Sequence, residues 1–192
     1  MQSSVLTIDR ALSVGNSRAV SSALWISAFA LLTAVGAQIV IPFAPVPFTL
    51  QSVFVLLSGA MLGARKGALA QVAYLGMGAA GLPVFAGFSG TFLHLLGPTG
   101  GYLIAFPLAA YVTGLLLHQS PIARLPRYLA AVAAMIPAML VVFAIGTAQL
   151  NLVVFHNWSA SIAAGFTSLQ VWDAVKILVA AGLASQLGRF SR

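Results

Sequence analysis

Six stretches of the chain are almost wholly apolar, and all but the fifth, which is followed by His156, Asn157 and Trp158, are closed by charge, proline or glycine-rich sequence. The first runs from about Ala23 to Ile41 and stops at the Pro42 to Pro47 segment, where three prolines in six residues forbid a continuing helix. A short second stretch, Phe48 to Leu62, is followed by Arg65 and Lys66. The third, Ala68 to Phe85, holds Gly76, Gly78 and Gly81 in its later half, where extra glycines loosen a helix or admit close contact. Ala86 to Thr99 then reads as a loop rich in Gly and Ser, with His94 inside it. The fourth stretch is Gly101 to Leu117, and Arg124 and Arg127 follow in a loop marked by Pro121 and Pro126. The fifth, Leu129 to Leu150, passes through Pro137, which predicts a kink because an interior proline removes a backbone hydrogen bond. The sixth is Leu169 to Leu187, closed by Arg189 and Arg192.

Six such runs in 192 residues, at 60% hydrophobic and 6% charged, predict an all-α membrane protein: a compact bundle of six transmembrane helices with no room for a soluble domain. Met1 to Ser22 is polar and is expected to be a short mobile tail, leaving 23–192 as the membrane domain. The run after it is too long for a signal-peptide core. Period-two strands of the barrel type are absent.

The net charge of +7 does not point to nucleic acid, because basic residues flanking apolar spans orient them. Eight of the nine Lys and Arg lie outside the spans, and six crossings put all eight on one face. The positive-inside rule then places both termini in the cytoplasm of a multi-pass inner-membrane protein. Five or seven crossings would split the basic loops between faces.

The inventory of reactive groups argues against an enzyme. There is no cysteine and no HExxH, and the three histidines, His94, His118 and His156, are scattered, so neither metal nor cofactor is expected. No Walker-type phosphate loop is present, so the chain cannot hydrolyse ATP by itself. An intramembrane aspartyl dyad needs two acids where one is available.

That one acid is Asp173, and Lys176 is three residues on in the same apolar stretch. The spacing places both on one helical face. An ionisable group at such depth costs about 2.5–3.5 kcal/mol or more, so the pair points to contact with a polar solute or ion rather than to structure alone. Thr49 and Gln51, polar groups just inside the second stretch, need partners too, which either interhelical hydrogen bonds or a solute would supply.

Together these segments resemble the BioY family, the biotin-binding membrane subunits of energy-coupling-factor transporters. The resemblance rests on PVPFTLQ at Pro45 to Gln51, the long glycine-punctuated stretch from Leu56 to Gly87, GPTGGYL at Gly97 to Leu103, and the DxxK pattern at Asp173 to Lys176. It implies a high-affinity biotin-binding subunit in lipid, driven by a transmembrane coupling subunit and partner ATPases. Asp173 and Lys176 would be the main ligand contacts, with Thr49, Gln51 and Tyr102 next. Phe85 and Phe88 are expected to pack on the ring system or close the loop over it, and Gly100 and Gly101 either to cradle ligand with exposed backbone or simply to start the fourth stretch. The resemblance also implies that Ala30 and Ala34, four apart in the first stretch, form a docking face for the coupling subunit, although the same spacing suits packing within the chain. The alternative is an unaided carrier using Asp173 for proton coupling. Against it, the two halves of the chain show none of the internal similarity common in secondary carriers. A third reading is a purely structural or assembly subunit.

Overall fold

The computed structural model describes residues 2–41, 48–117, 122, 124–167 and 170–187. The Pro42 to Pro47 segment and both C-terminal arginines lie outside them. Helix α1 (Gln2–Gln38) leads into a two-residue antiparallel pairing of β1 (Val40–Ile41) with β2 (Phe48–Thr49), in which Val40 faces Thr49 and Ile41 faces Phe48. Then come α2 (Gln51–Leu62), α3 (Ala64–Ala79), a 3-10 turn (Ala86–Phe88), α4 (Phe92–Leu96), α5 (Gly100–Ile104) and α6 (Phe106–Leu117). The long α7 (Arg127–Leu150) runs on into a π turn (Asn151–Phe155), followed by α8 (Trp158–Ile162), a second π turn (Ala163–Thr167) and α9 (Gln170–Leu187).

The chain is thus predominantly helical, as the apolar runs predict, with several differences at their edges. The helix of α1 starts at Gln2 and is continuous across Ser22, so the segment expected as a tail is helical from Gln2. The second run opens with the extended pair Phe48–Thr49 and becomes helical only at Gln51. The third ends at Ala79 rather than Phe85, because Gly81 turns the backbone into the left-handed region (φ +97°). Leu82 N–H then donates to the Met77 carbonyl at 3.1 Å, a Schellman-type end. Among the described residues, three segments are long and apolar enough to cross a membrane: Ala19–Gln38, Gly100–Leu117 and Arg127–Phe155.

Packing follows from where the small residues fall. The elements α2 and α6 pack on each other at the centre, α3 closes against α6 and α1, and α9 seals the gap between α2 and α7. At Gly67 the backbones of α2 and α3 come so close that a Cβ would sit 2.7 Å from Gly59 Cα, so a glycine is required there. Polar side chains in this core satisfy one another across helices. Gln71 of α3 donates to Ser58 of α2 (3.0 Å) and to Thr33 of α1 (3.2 Å), and Ser58 donates to Val55 O (2.7 Å).

Ala30 and Ala34 take the inward side of α1, 1% and 9% exposed, in the same core. The expectation that they form an external docking face is therefore corrected: their spacing lets α1 approach its own neighbours α2 and α3. Leu31, Leu32 and Val35 turn outward from the same two turns. Ala30→Trp is expected to overpack the core and lower the midpoint of thermal aggregation in detergent by roughly 5 °C or more, from a typical overpacking cost of about 1–3 kcal/mol. Leu31→Trp on the outward side should leave that midpoint within about 2 °C, in keeping with surface substitutions. Equal midpoints for the two variants would contradict this placement.

Candidate functional site

Asp173 lies in the first turn of α9, where the helix N-terminus favours a carboxylate, and Lys176 follows one turn later. Lys176 Nζ is 2.6 Å from Asp173 Oδ1, and the residues are only 7% and 3% exposed. Apart from that contact, Oδ1 has no hydrogen-bond partner among the described residues. The ammonium also sits 4.0 Å over the centroid of the Phe48 ring, a cation–π contact that partly replaces lost hydration. Phe48 is held in turn by the edge of Trp172, 5.9 Å between centroids.

The pair faces a cavity of about 310 Å³, room for one small molecule. β2 and the first turn of α2 supply Phe48, Thr49, Gln51 and Ser52, and α7 supplies Met139, Val142 and Phe143 as an apolar wall. Tyr102, Leu103 and Phe106 line the side where α5 meets α6, and Ala86, His94 and Thr99 belong to the segment above it.

Most polar groups around the cavity are already committed to the protein. Thr49 donates to Gln51 Oε1 (2.8 Å), Gln51 donates through Nε2 to the Tyr74 hydroxyl, and Tyr74 donates to Val84 O (3.2 Å). Tyr102 donates to Gly165 O at 3.3 Å. Ser52 is the exception: its Oγ is buried and has no partner among the described residues. Asp173 Oδ1, whose one contact is Lys176, also belongs to the cavity lining, and Thr147 Oγ1, buried without a hydrogen bond, lies against Tyr102. A buried polar atom short of partners is costly, so Ser52 Oγ and Asp173 Oδ1 are two points that a polar ligand would satisfy.

Two glutamines from long helices hold the segment above the cavity. Gln38 at the end of α1 donates to Phe85 O (3.1 Å) and accepts from Phe88 N–H (3.0 Å). Gln149 of α7 donates to Leu95 O (2.9 Å) and Gly97 O (2.7 Å). Between them, His94 stacks on Phe85 at 5.3 Å, with Ser89 Oγ and Thr99 Oγ1 each 3.4 Å from a ring nitrogen. Ser89 spends its own proton on Ala86 O (2.9 Å), so it accepts from Nδ1–H and leaves Nε2 to accept from Thr99. Burial holds the imidazole below its ordinary pKa, which keeps it neutral at pH 7.

Asp173, Lys176, Thr49, Gln51 and Tyr102, singled out from the sequence, all line the cavity. Four other candidates stand apart from the lining. Phe85 is buried behind His94, edge-on to Tyr74. Phe88 is 72% exposed, at φ +56°. Gly100 and Gly101 are used up in packing: a Cβ on Gly101 would sit 2.7 Å from both Gln149 Cβ and Ile145 O, so they seat α5 on α7 rather than offer backbone to a ligand. Ser52, His94, Thr99 and the α7 wall were not foreseen. Ser52 directly follows Gln51 in the TLQ segment, and that adjacency was the available signal.

The comparisons with known proteins agree on one family. The model of the BioY family matches residues 8–192. The chain is 44% identical over 159 residues to a protein named biotin transporter BioY from Thermotoga maritima, covering 83% of this chain and 90% of that one. It is 38% identical over 177 residues to a probable biotin transporter BioY from Lysinibacillus sphaericus, covering 89% and 88%. Its fold matches the crystal structure of the S-component for biotin from an ECF-type ABC transporter, with a TM-score of 0.80 at 22% identity over 90% of this chain and 93% of that one.

Breaking a buried ion pair strands the surviving charge, whereas replacing both partners with apolar groups often costs nothing. Lys176→Met alone is expected to destabilise the fold by about 3–5 kcal/mol, and the double variant Asp173→Leu with Lys176→Met to recover most of that loss. Unfolding in denaturant checks it, and a double variant no more stable than the single one would show that the pair holds the fold together.

Proposed function

This chain belongs to the BioY family, and from that premise we propose that it is the biotin-capturing subunit of an ECF-type uptake system. The observation that carries the reading is the buried Asp173–Lys176 pair facing a cavity with an apolar far wall. Biotin has an apolar bicycle and chain, a ureido group with two N–H donors and one carbonyl, and a carboxylate. A mostly apolar pocket with a few fixed polar groups suits it. Asp173 accepts from a ureido N–H, and Phe106, Met139, Val142 and Phe143 enclose the bicycle. Thr49, Gln51 and Tyr102 shape the pocket and hold its polar edge.

The protein is a transporter component rather than an enzyme, and an inventory without a nucleotide site means that any ATP drive comes from partners. We assign it to the inner membrane with six crossings and both ends in the cytoplasm, residues 23–192 forming the membrane domain. Arg65, Lys66, Arg124 and Arg127 then face inward, and the segments 86–99 and 151–168 face outward. A coupling subunit and ATPases would dock on the chain's outer surface, away from the buried Ala30 and Ala34. Capture is favoured over proton-coupled carriage because Asp173 is engaged by Lys176 rather than standing alone.

Asp173→Asn keeps the shape and removes the charge, and should lower biotin affinity by roughly one to two decades, the equivalent of a charge-assisted hydrogen bond of about 1.5–3 kcal/mol. Lys176→Ala should do at least as much, both read by titration of folded protein in detergent. Unchanged affinity in both would make the pair purely structural. Orientation is checked with cysteines introduced into this cysteine-free chain. An impermeant thiol reagent on intact cells should label Leu93→Cys and spare Leu125→Cys, and the reverse pattern would invert the topology.

A further inference from the structure

The cavity lining holds two polar atoms of opposite kind that are short of partners. Asp173 Oδ1 can only accept and has Lys176 alone (2.6 Å), whereas Ser52 Oγ has a proton to donate and is buried with no partner at all among the described residues. Ser52 also stands at a place that attracts negative charge. It is the second residue of the 12-residue helix α2, whose preceding residue, Leu50, makes no side-chain cap hydrogen bond. An uncapped N-terminus presents backbone N–H groups and roughly half a positive charge. Residues 48, 49, 51 and 52 all line the cavity, so this helix end opens onto it. Lys176 lies nearby, over the Phe48 ring, and keeps N–H donors beyond the one directed at Asp173.

The charge balance of the site points the same way. The Asp173–Lys176 pair is neutral as a unit, and the other titratable groups lining the cavity, His94 and Tyr102, carry no positive charge at pH 7. An anionic ligand therefore brings a charge that no free side-chain cation in the lining meets. Dipoles must meet it, and the α2 terminus with the Ser52 hydroxyl is where they converge.

Resting on the biotin reading, we infer that the carboxylate of the ligand docks at the N-terminus of α2. Ser52 Oγ donates to one carboxylate oxygen, first-turn N–H groups and Lys176 support it, and the ureido ring lies toward Asp173. Ser52 is then a specificity residue for the acid function. It distinguishes a carboxylate from a neutral tail on the same ring.

The test compares biotin with biotinamide, which keeps the ring and chain but has no charge, on detergent-purified wild type, Ser52→Ala and Ser52→Thr. Ser52→Ala should lower biotin affinity by about tenfold and biotinamide affinity by less than about threefold, since hydrogen bonds to charged groups are the stronger kind. Ser52→Thr keeps the hydroxyl and should retain most of the biotin affinity. Equal losses for both ligands would put Ser52 at the ring or in a structural role and overturn the assignment, as would an unchanged biotin affinity in Ser52→Ala. Wild type that binds no biotin at all would remove the capture reading itself, a result seen before any variant is made.

Discussion

Two opposite charges, 2.6 Å apart and almost entirely withdrawn from solvent, set the terms for the rest of this molecule. Desolvating a carboxylate and an ammonium costs several kcal/mol each, and their mutual attraction rarely returns all of it. The surroundings supply what they can: the first turn of α9 for Asp173, and the Phe48 ring for Lys176. What they do not supply is a second partner for Asp173 Oδ1. A structural ion pair would be better served by completing that set or by replacing the pair with apolar side chains. Leaving it open beside a cavity makes sense if a solute completes it.

The cavity keeps its shape because its walls are tied to the long helices. The single 3-10 turn at 86–88 and the end of the five-residue α4 are too short to pair all their own backbone groups, and Gln38 and Gln149 bind segments 85–88 and 95–97 side chain to backbone. Buried carbonyls left without those donors would each carry a desolvation penalty. Gly100 and Gly101 contribute by letting α5 sit directly on α7. Thus Thr99 and Tyr102 are positioned by contacts behind them, and the ligand-facing surface is free of that task.

How far the sequence could be read depended on what each signal reports. Ionisable residues in apolar runs are rare and costly, so Asp173 and Lys176 mark a site by their position in the chain alone. Thr49 and Gln51 are readable for a related reason, as polar groups near a helix end that require partners, whereas Tyr102 is marked only by the family resemblance of the GPTGGYL segment. Aromatic and small residues carry less information, because the same types serve packing and binding. Phe85 turned out to be a buried support for His94, Phe88 an exposed loop residue, and Ala30 and Ala34 an interior seam. Helix edges were misread where one glycine decides, as at Gly81, which ends α3 six residues early in a run that remains apolar to Phe85. Ser52, one serine among many, becomes informative only when its missing partner is seen.

The central claim is that the buried pair and its cavity exist to hold biotin. It is tested most directly by purifying the protein in mild detergent from biotin-supplemented cells and identifying by mass spectrometry what small molecule stays bound. The account predicts biotin in near-equimolar amount with the chain, and its loss when Asp173 and Lys176 are both replaced by apolar residues. A wild-type protein that is folded and carries no biotin, or holds a different solute in its place, would contradict it.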